Sequence, residues 1–369
     1  MRITAAMATA PHAPLILTEL EIDDPRDDEV LVRVLACGVC HTDLACRDQA
    51  LPVPLPAVLG HEGAGIVERV GAAVRKVAPG DHVLLSYDSC ATCPSCRAAK
   101  PFYCHQFGAY NFSARRPDGS AALSAEGGAV VGGRFFGQSA FASHCLARER
   151  NLVRVAAEAP LELLAPLGCG IQTGAGTVLN ALRPEAGATI AIFGAGTVGL
   201  AAVLGANIAG CRRIIAIEPN PARRELAREF GATDTIDPSA VADVPAALRD
   251  ALGAAGADYS IECTGIPAVA TAAVHSLAPR GTAALVGAMP AGAEYRFDAI
   301  KVMTEGLTVR GVIEGESRPD DFLPRLIALH REGRFPFARM IRHYPFAEIN
   351  AALAASERGD AIKPVLLMA

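Results

Sequence analysis

The chain has 369 residues, of which 51% are hydrophobic and 20% charged, with a net charge of −5 at pH 7. That length exceeds one ordinary core and predicts two domains. The mildly acidic balance argues against a nucleic-acid or membrane-surface footprint, and no apolar run is long enough to span a bilayer.

Met1-Arg2-Ile3-Thr4-Ala5-Ala6-Met7 reads as a first strand, not a signal peptide, because Pro11 and Pro14 interrupt it early. From 3 to about 165, short strands are punctuated by Gly, Pro and Asp. Residues 29–35 and 65–70 are two of them, and Pro79-Gly80-Asp81 turns into a third at His82–Leu85. The pattern predicts an antiparallel, barrel-like domain. Within it, Cys40-His41-Thr42-Asp43 follows a strand and Gly60-His61-Glu62-Gly63 precedes another. Taken singly, such residues are usually buried filler.

Cys90-x-x-Cys93-x-x-Cys96, followed by Cys104, clusters four thiols among loop-forming Pro94, Ser95 and Pro101. The chain has 11 cysteines, an odd number, and no export signal. Metal ligation is therefore favoured over disulfides, and the cytoplasm over an oxidising compartment. Four thiolates make a closed tetrahedral site suited to structural zinc. A disulfide-stapled loop and an iron–sulfur cluster are the competing readings. Cys169, in Gly168-Cys169-Gly170, completes a second set. With Cys40 and His61 it supplies two thiolates and one imidazole, leaving a fourth zinc position open to water or substrate.

From about 171 to 312, strands alternate with helical stretches, which implies a parallel sheet covered by helices. The apolar run Thr189–Phe193 leads into Gly194-Ala195-Gly196-Thr197-Val198-Gly199 and an apolar helix-like run. Gly194 permits a tight turn, Gly196 lets a pyrophosphate approach the backbone, and Gly199 lets the helix sit close to the strand. Glu218 ends the next strand where an acid takes ribose hydroxyls. This points to dinucleotide binding; the bland alternative is a glycine-rich turn of another α/β fold. Helices at 221–230 and 267–277 and strands at 258–263 and 282–286 continue the alternation. The tail, 313–369, reads as a helix (322–331), a loop and a last strand, Lys363–Leu367, returning to the first domain.

In order and spacing, Gly60-His61-Glu62-x-x-Gly65, the four-cysteine lobe, Gly194–Gly199 and Ile362-Lys363-Pro364-Val365 resemble a zinc-dependent medium-chain alcohol dehydrogenase nearly end to end. Two thiolates and one imidazole are the known catalytic zinc ligands of alcohol dehydrogenases. The stretches 134–139, 168–174 and 344–350 are most similar to the aryl (benzyl) alcohol dehydrogenases. The resemblance implies an α/β fold: a Rossmann doubly wound domain at 171–312, plus a mainly antiparallel, GroES-like catalytic domain at 1–170 and 313–369. It implies two zinc ions per chain, one structural on Cys90, Cys93, Cys96 and Cys104, and one catalytic on Cys40, His61 and Cys169. Glu62 would stand behind the catalytic metal, Asp43 would orient His61, and Thr42 would relay the substrate proton. His41 and Lys363 would hold the pyrophosphate of NAD, Thr173 and Val198 would flank the nicotinamide, and Arg223 would lie near Glu218. Ser86, Phe135, Phe136, Ala288 and Val312 would line the substrate pocket.

The resemblance further implies a homo-oligomer, dimer or tetramer, that oxidises a primary aromatic or allylic alcohol to its aldehyde. The alternatives are a general dehydrogenase of aliphatic alcohols and, further off, a non-catalytic zinc- and dinucleotide-binding sensor. One position departs from the family pattern: Ala45 stands where many members carry a proton-relay histidine.

Overall fold

The computed structural model describes residues 1–253 and 255–368. The last residue of the expected returning tail therefore lies outside it. The chain forms two compact units: Met1–Cys169 with Arg318–Ile327 and Ala338–Ala369, and Gly170–Ser317 with Ala328–Phe337.

The first unit carries two sheets. A five-stranded one runs in the order Ala57–Val58, Arg2–Ala8, Ile16–Ile22, Leu123–Ser124, Val130–Val131, all antiparallel. The other runs Leu152–Val155, His82–Leu85, Glu62–Val70, Glu29–Gly38, Lys363–Leu367, Ile341–Pro345, with His144–Arg148 also on Glu29–Gly38. Glu29–Gly38 is buried along nearly its whole length because three strands pair with it. Val30, Val32 and Val34, with Leu85, Phe135 and Phe141, belong to one continuous core. The tail holds more structure than its sequence suggests. Ile341–Pro345 is a strand parallel to Lys363–Leu367, and Ile349–Arg358 is a helix.

The second unit is a six-stranded parallel sheet in the order Asp234–Ile236, Arg213–Ile217, Thr189–Phe193, Ala257–Glu262, Leu277–Leu285, Thr308–Gly311. The order reverses between Thr189–Phe193 and Ala257–Glu262. That is the switch point where open α/β sheets take ligands at the carboxyl ends of their strands. Thr189–Phe193 is buried throughout, as a strand covered on both faces must be. The helix Thr197–Ile208 is almost wholly apolar and packs on Gly170–Gly176 across glycines: a Cβ on Gly174 would come 1.9 Å from the Val198 carbonyl oxygen. Both units together give the mixed α/β architecture expected from the sequence. No helix among the described residues is long and apolar enough to cross a membrane.

Candidate functional site

Strand register brings the first constellation together. Gly38 lies opposite Glu62 and Cys37 opposite Gly63, so the segment leaving one strand with Cys40 meets the segment entering the other with His61. Cys40 caps the helix His41–Arg47. Cys169 follows the turn Ala165–Gly168, which packs so tightly that a Cβ on Gly168 would lie 2.1 Å from the Leu85 carbonyl oxygen. Ligand atoms of Cys40, His61, Glu62 and Cys169 all lie within 4.8 Å of one another.

Asp43, 1% exposed, holds this arrangement from behind. Its Oδ2 accepts the Cys40 N–H at 2.9 Å; its Oδ1 accepts the Gly60 N–H at 3.0 Å and meets His61 Nδ1 at 2.9 Å. A carboxylate only accepts, so the Nδ1 proton points at Asp43 and Nε2 is left as the free nitrogen. Nε2 is buried without a hydrogen-bond partner. An orphaned buried nitrogen is costly unless something meets it. The electrostatics say what. A hydrogen bond from Cys169, with Lys363 and His61 nearby, holds Cys40 well below the usual thiol range against the effect of burial. Burial disfavours a charged His61, yet Asp43 and Cys40 outweigh it and push the imidazole up. Two thiol sulfurs and an imidazole nitrogen within 4.8 Å of one another are a donor set that suits zinc.

The surrounding residues divide. Thr42 is half-buried, its Oγ1 3.8 Å from Cys40 Sγ, and His41 is exposed. Lys363 departs from expectation. It is 1% exposed, and its Nζ donates to both oxygens of Glu62 at 2.9 and 2.8 Å and to the Val39 carbonyl at 3.0 Å. The amine is committed inward to a buried carboxylate, not presented to a phosphate. Ser86 is also no open pocket wall: it is fully buried and its hydroxyl donates to the Gly168 carbonyl at 2.7 Å. Phe135 and Phe136 do not alternate on a strand; they lie in a 3-10 turn with Phe136 left-handed at φ 50°. Both rings therefore reach His61, Phe136 stacked at 4.5 Å and Phe135 edge-on at 5.4 Å.

Cys90, Cys93, Cys96 and Cys104 form the second cluster, their sulfurs also within 4.8 Å of one another. Backbone N–H groups aim at the sulfurs: Cys93 to Cys90 at 3.3 Å, His105 to Cys93 at 3.4 Å and Gln106 to Cys104 at 3.4 Å. Burial opposes the thiolate at Cys90, but bonds from Thr92 and Cys93 bring it down to about 6. Burial and its thiol neighbours push Cys96 up to about 12. Four thiols this close cannot all ionise without a metal, and the donor set fits zinc.

In the second unit the glycines fall as the cradle requires. Gly194 has φ 92°, a Cβ on Gly199 would sit 1.8 Å from the Gly194 carbonyl oxygen, and a Cβ on Gly196 would meet nothing within 4 Å. The open space at Gly196, at the N-terminus of Thr197–Ile208, admits a pyrophosphate. Glu218 is 5% exposed, with Oε2 on the Ala195 N–H at 2.7 Å and Oε1 on the Asn220 N–H at 2.9 Å. Arg224 is tied to the Glu218 and Pro219 carbonyls and to Asp237, whereas the buried Nε of Arg223 has no partner. Val198 meets Gly174, the residue after Thr173, where the helix Gly170–Gly176 crosses Thr197–Ile208. Ala288 is exposed, while Val312 is buried and donates its N–H to the Leu285 carbonyl at 3.0 Å.

Two buried residues escaped the sequence reading. Glu262 gathers the Gly265 N–H at 2.9 Å and the N–H and hydroxyl of Thr264 at the switch point. Gln138 bonds backbone on both sides of the first cluster. Neither has a spacing that announces it.

Comparison with known proteins agrees over the whole length. Residues 26–157 match the alcohol dehydrogenase GroES-like domain and residues 197–330 the zinc-binding dehydrogenase family. The geraniol dehydrogenase of Castellaniella defragrans is 47% identical over 364 residues, covering 98% of this chain and 97% of that one. The alcohol dehydrogenase zinc-binding domain protein of Burkholderia ambifaria is 50% identical, with a TM-score of 0.97, over 100% of this chain and 99% of that one. The benzyl alcohol dehydrogenase of Acinetobacter calcoaceticus is 42% identical, with a TM-score of 0.95, over 100% of both chains.

Proposed function

The chain belongs to the zinc-binding medium-chain alcohol dehydrogenases, and we propose that its substrate is a primary alcohol with an aromatic or allylic group beside the carbinol, oxidised reversibly to the aldehyde with NAD. The observation that carries the chemistry is the Cys40–His61–Cys169 cluster with its orphaned His61 Nε2. The substrate class rests on the full-length likeness to a geraniol and a benzyl alcohol dehydrogenase.

Zinc on these ligands supplies a Lewis acid for the alcohol oxygen, and NAD the hydride acceptor. The chain's own residues do the rest. Asp43 fixes the His61 tautomer and the Cys40 backbone at once. Thr42 Oγ1, beside Cys40, takes the hydroxyl proton of the substrate and passes it on. Ala45 cannot accept it, so it leaves through water, ribose hydroxyls or the exposed His41. The Glu62–Lys363 pair stands behind the cluster as a buried counter-charge. Phe135 and Phe136 give the cluster an apolar, water-excluding wall.

An aryl group in place of a methyl buries on the order of 100 Å² more apolar surface. At about 25 cal/mol per Å² that is about 2.5 kcal/mol, or roughly seventyfold in kcat/KM. We therefore expect benzyl alcohol and geraniol to exceed ethanol by at least that factor, with hexanol between. Parallel steady-state assays check this; equal kcat/KM for ethanol and benzyl alcohol returns the reading to a general aliphatic dehydrogenase.

Glu218 sets the cofactor preference, because its charge repels a 2′-phosphate. Glu218→Gln removes the charge and keeps one acceptor oxygen, enough for one of the Ala195 and Asn220 N–H groups that the two carboxylate oxygens now accept. The NAD-to-NADP ratio of kcat/KM is expected to fall about tenfold, roughly 1.4 kcal/mol. An unchanged ratio would assign the choice to Arg223.

A homodimer or tetramer joined through the dinucleotide-binding unit suits its edge strand, Thr308–Gly311, with Ile300 and Met303 exposed at 65% and 70%. None of the cysteines among the described residues forms a disulfide, which suits a cytoplasmic setting.

A further inference from the structure

Gln138 is a fully buried side chain with no assigned part in the chemistry. Its carboxamide reaches the backbone of His61, Gly63 and Ser86, beside the first metal cluster. Oε1 accepts the Gly63 N–H at 3.1 Å; Nε2 donates to the carbonyl of His61 at 2.9 Å and to that of Ser86 at 3.2 Å. The chain of bonds continues. Ser86 Oγ donates to the carbonyl of Gly168 at 2.7 Å, the residue directly before Cys169. One amide thus touches the backbone of one ligand and, through a single hydroxyl, the backbone beside another.

The turn that carries Gln138 is built to hold it still. Phe136, Gly137 and Ser139 have φ of 50°, 66° and 57°. Left-handed geometry at two non-glycine residues persists only where the surroundings impose it. Here they do. Ser139 Oγ donates to the Val58 carbonyl at 2.7 Å and accepts the Phe135 N–H at 2.9 Å. Arg134, itself buried, donates to the Leu146 carbonyl at 2.9 Å beside Glu29 and Asp88. A Cβ on Gly137 would strike Asn151 Nδ2 at 2.6 Å. The same turn stacks Phe136 on the His61 ring. Hydrogen-bonded supports of this sort commonly change metal affinity by 10–100-fold when lost.

We propose that Gln138 is a positioning residue of the catalytic metal site, setting the separation of His61 and Cys169 directly and through Ser86. This rests on the reading that Cys40, His61 and Cys169 hold a metal. The test follows zinc release from the purified full-length chain to a chelator, with His61→Ala as the reference and the four-cysteine zinc as an internal measure of folding. Gln138→Leu keeps most of the volume and removes all three bonds. It is expected to release one zinc about tenfold faster than the parent, to keep the other, and to show a shifted visible spectrum when cobalt occupies the site. Ser86→Ala removes the hydroxyl that links to Gly168, too small a change to unfold the chain, and is expected to quicken release several-fold. Unchanged release and spectrum in a folded Gln138→Leu chain, or unchanged release in Ser86→Ala, overturns the proposal. So does loss of both zincs from Gln138→Leu, which would make the amide a support of the fold. A parent chain with a single zinc that His61→Ala does not remove overturns the metal reading itself, a result distinct from the others.

Discussion

His61→Ala is expected to lower turnover by about a thousandfold or more while zinc falls from two ions per chain to one. The Lewis acid is worth several kcal/mol of charge stabilisation, and about 4 kcal/mol is a thousandfold. Two thiolates and a water no longer hold the ion in that geometry. The fold should survive, for a specific reason. Asp43 loses the imidazole but keeps the N–H groups of Cys40 and Gly60, so its carboxylate is not stranded. The rings of Phe135 and Phe136 lose a neighbour but remain part of the main core of their unit. Cys40→Ser should behave alike. The measurements are elemental zinc, kcat/KM for benzyl alcohol, and NADH binding by fluorescence, which should be nearly unchanged. Full activity with one zinc would refute the assignment of the cluster. Loss of NADH binding as well would mean that the chain had unfolded.

What the sequence made legible follows from what local pattern encodes. The glycines of 194–199 carry their own geometry, since a turn, a close approach and a tight crossing each forbid a Cβ. Cysteine clusters are legible because reduced thiols at loop spacing have few other uses. Cys40, His61 and Cys169 are distant in sequence; the register of Glu62 on Gly38 joins the first two, and the turn Ala165–Gly168 packed on Leu85 brings in the third. Where the reading departs from the structure, a long-range partner decides. Lys363 reads as a phosphate ligand, but Glu62, remote in sequence, takes its amine. Phe135 and Phe136 are expected in the substrate pocket by resemblance; a left-handed residue turns both rings onto His61. Ser86 reads as a small residue leaving room, until the Gly168 carbonyl claims its hydroxyl. Gln138 lies in a stretch that carries the aryl resemblance, but its role shows only through the backbone of His61, Gly63 and Ser86.

Cys104→Ser should remove the other zinc and act on stability. Cys104 is the ligand contributed from farthest along the lobe, so it closes the loop that Cys90, Cys93 and Cys96 begin. Its sulfur accepts the Cys90 N–H at 3.3 Å and the Gln106 N–H at 3.4 Å, tying both ends of the loop. A closed zinc site in small domains contributes on the order of 10 kcal/mol of apparent binding energy. Only part of that reaches the whole molecule, because the lobe can open while the sheets stay folded. A net loss of about 3 kcal/mol in a chain of this size corresponds to a fall in apparent Tm of roughly 5–10 °C. Proton competition adds a second signature. With Cys96 pushed up to about 12, zinc must displace its proton to bind. Zinc affinity therefore falls as pH falls, and chelator release from the lobe of the parent chain should be faster at pH 6 than at pH 8. Thermal scans and zinc release at the two pH values check both statements. A Cys104→Ser chain with unchanged Tm and two zincs would show that the four thiols are not a metal site.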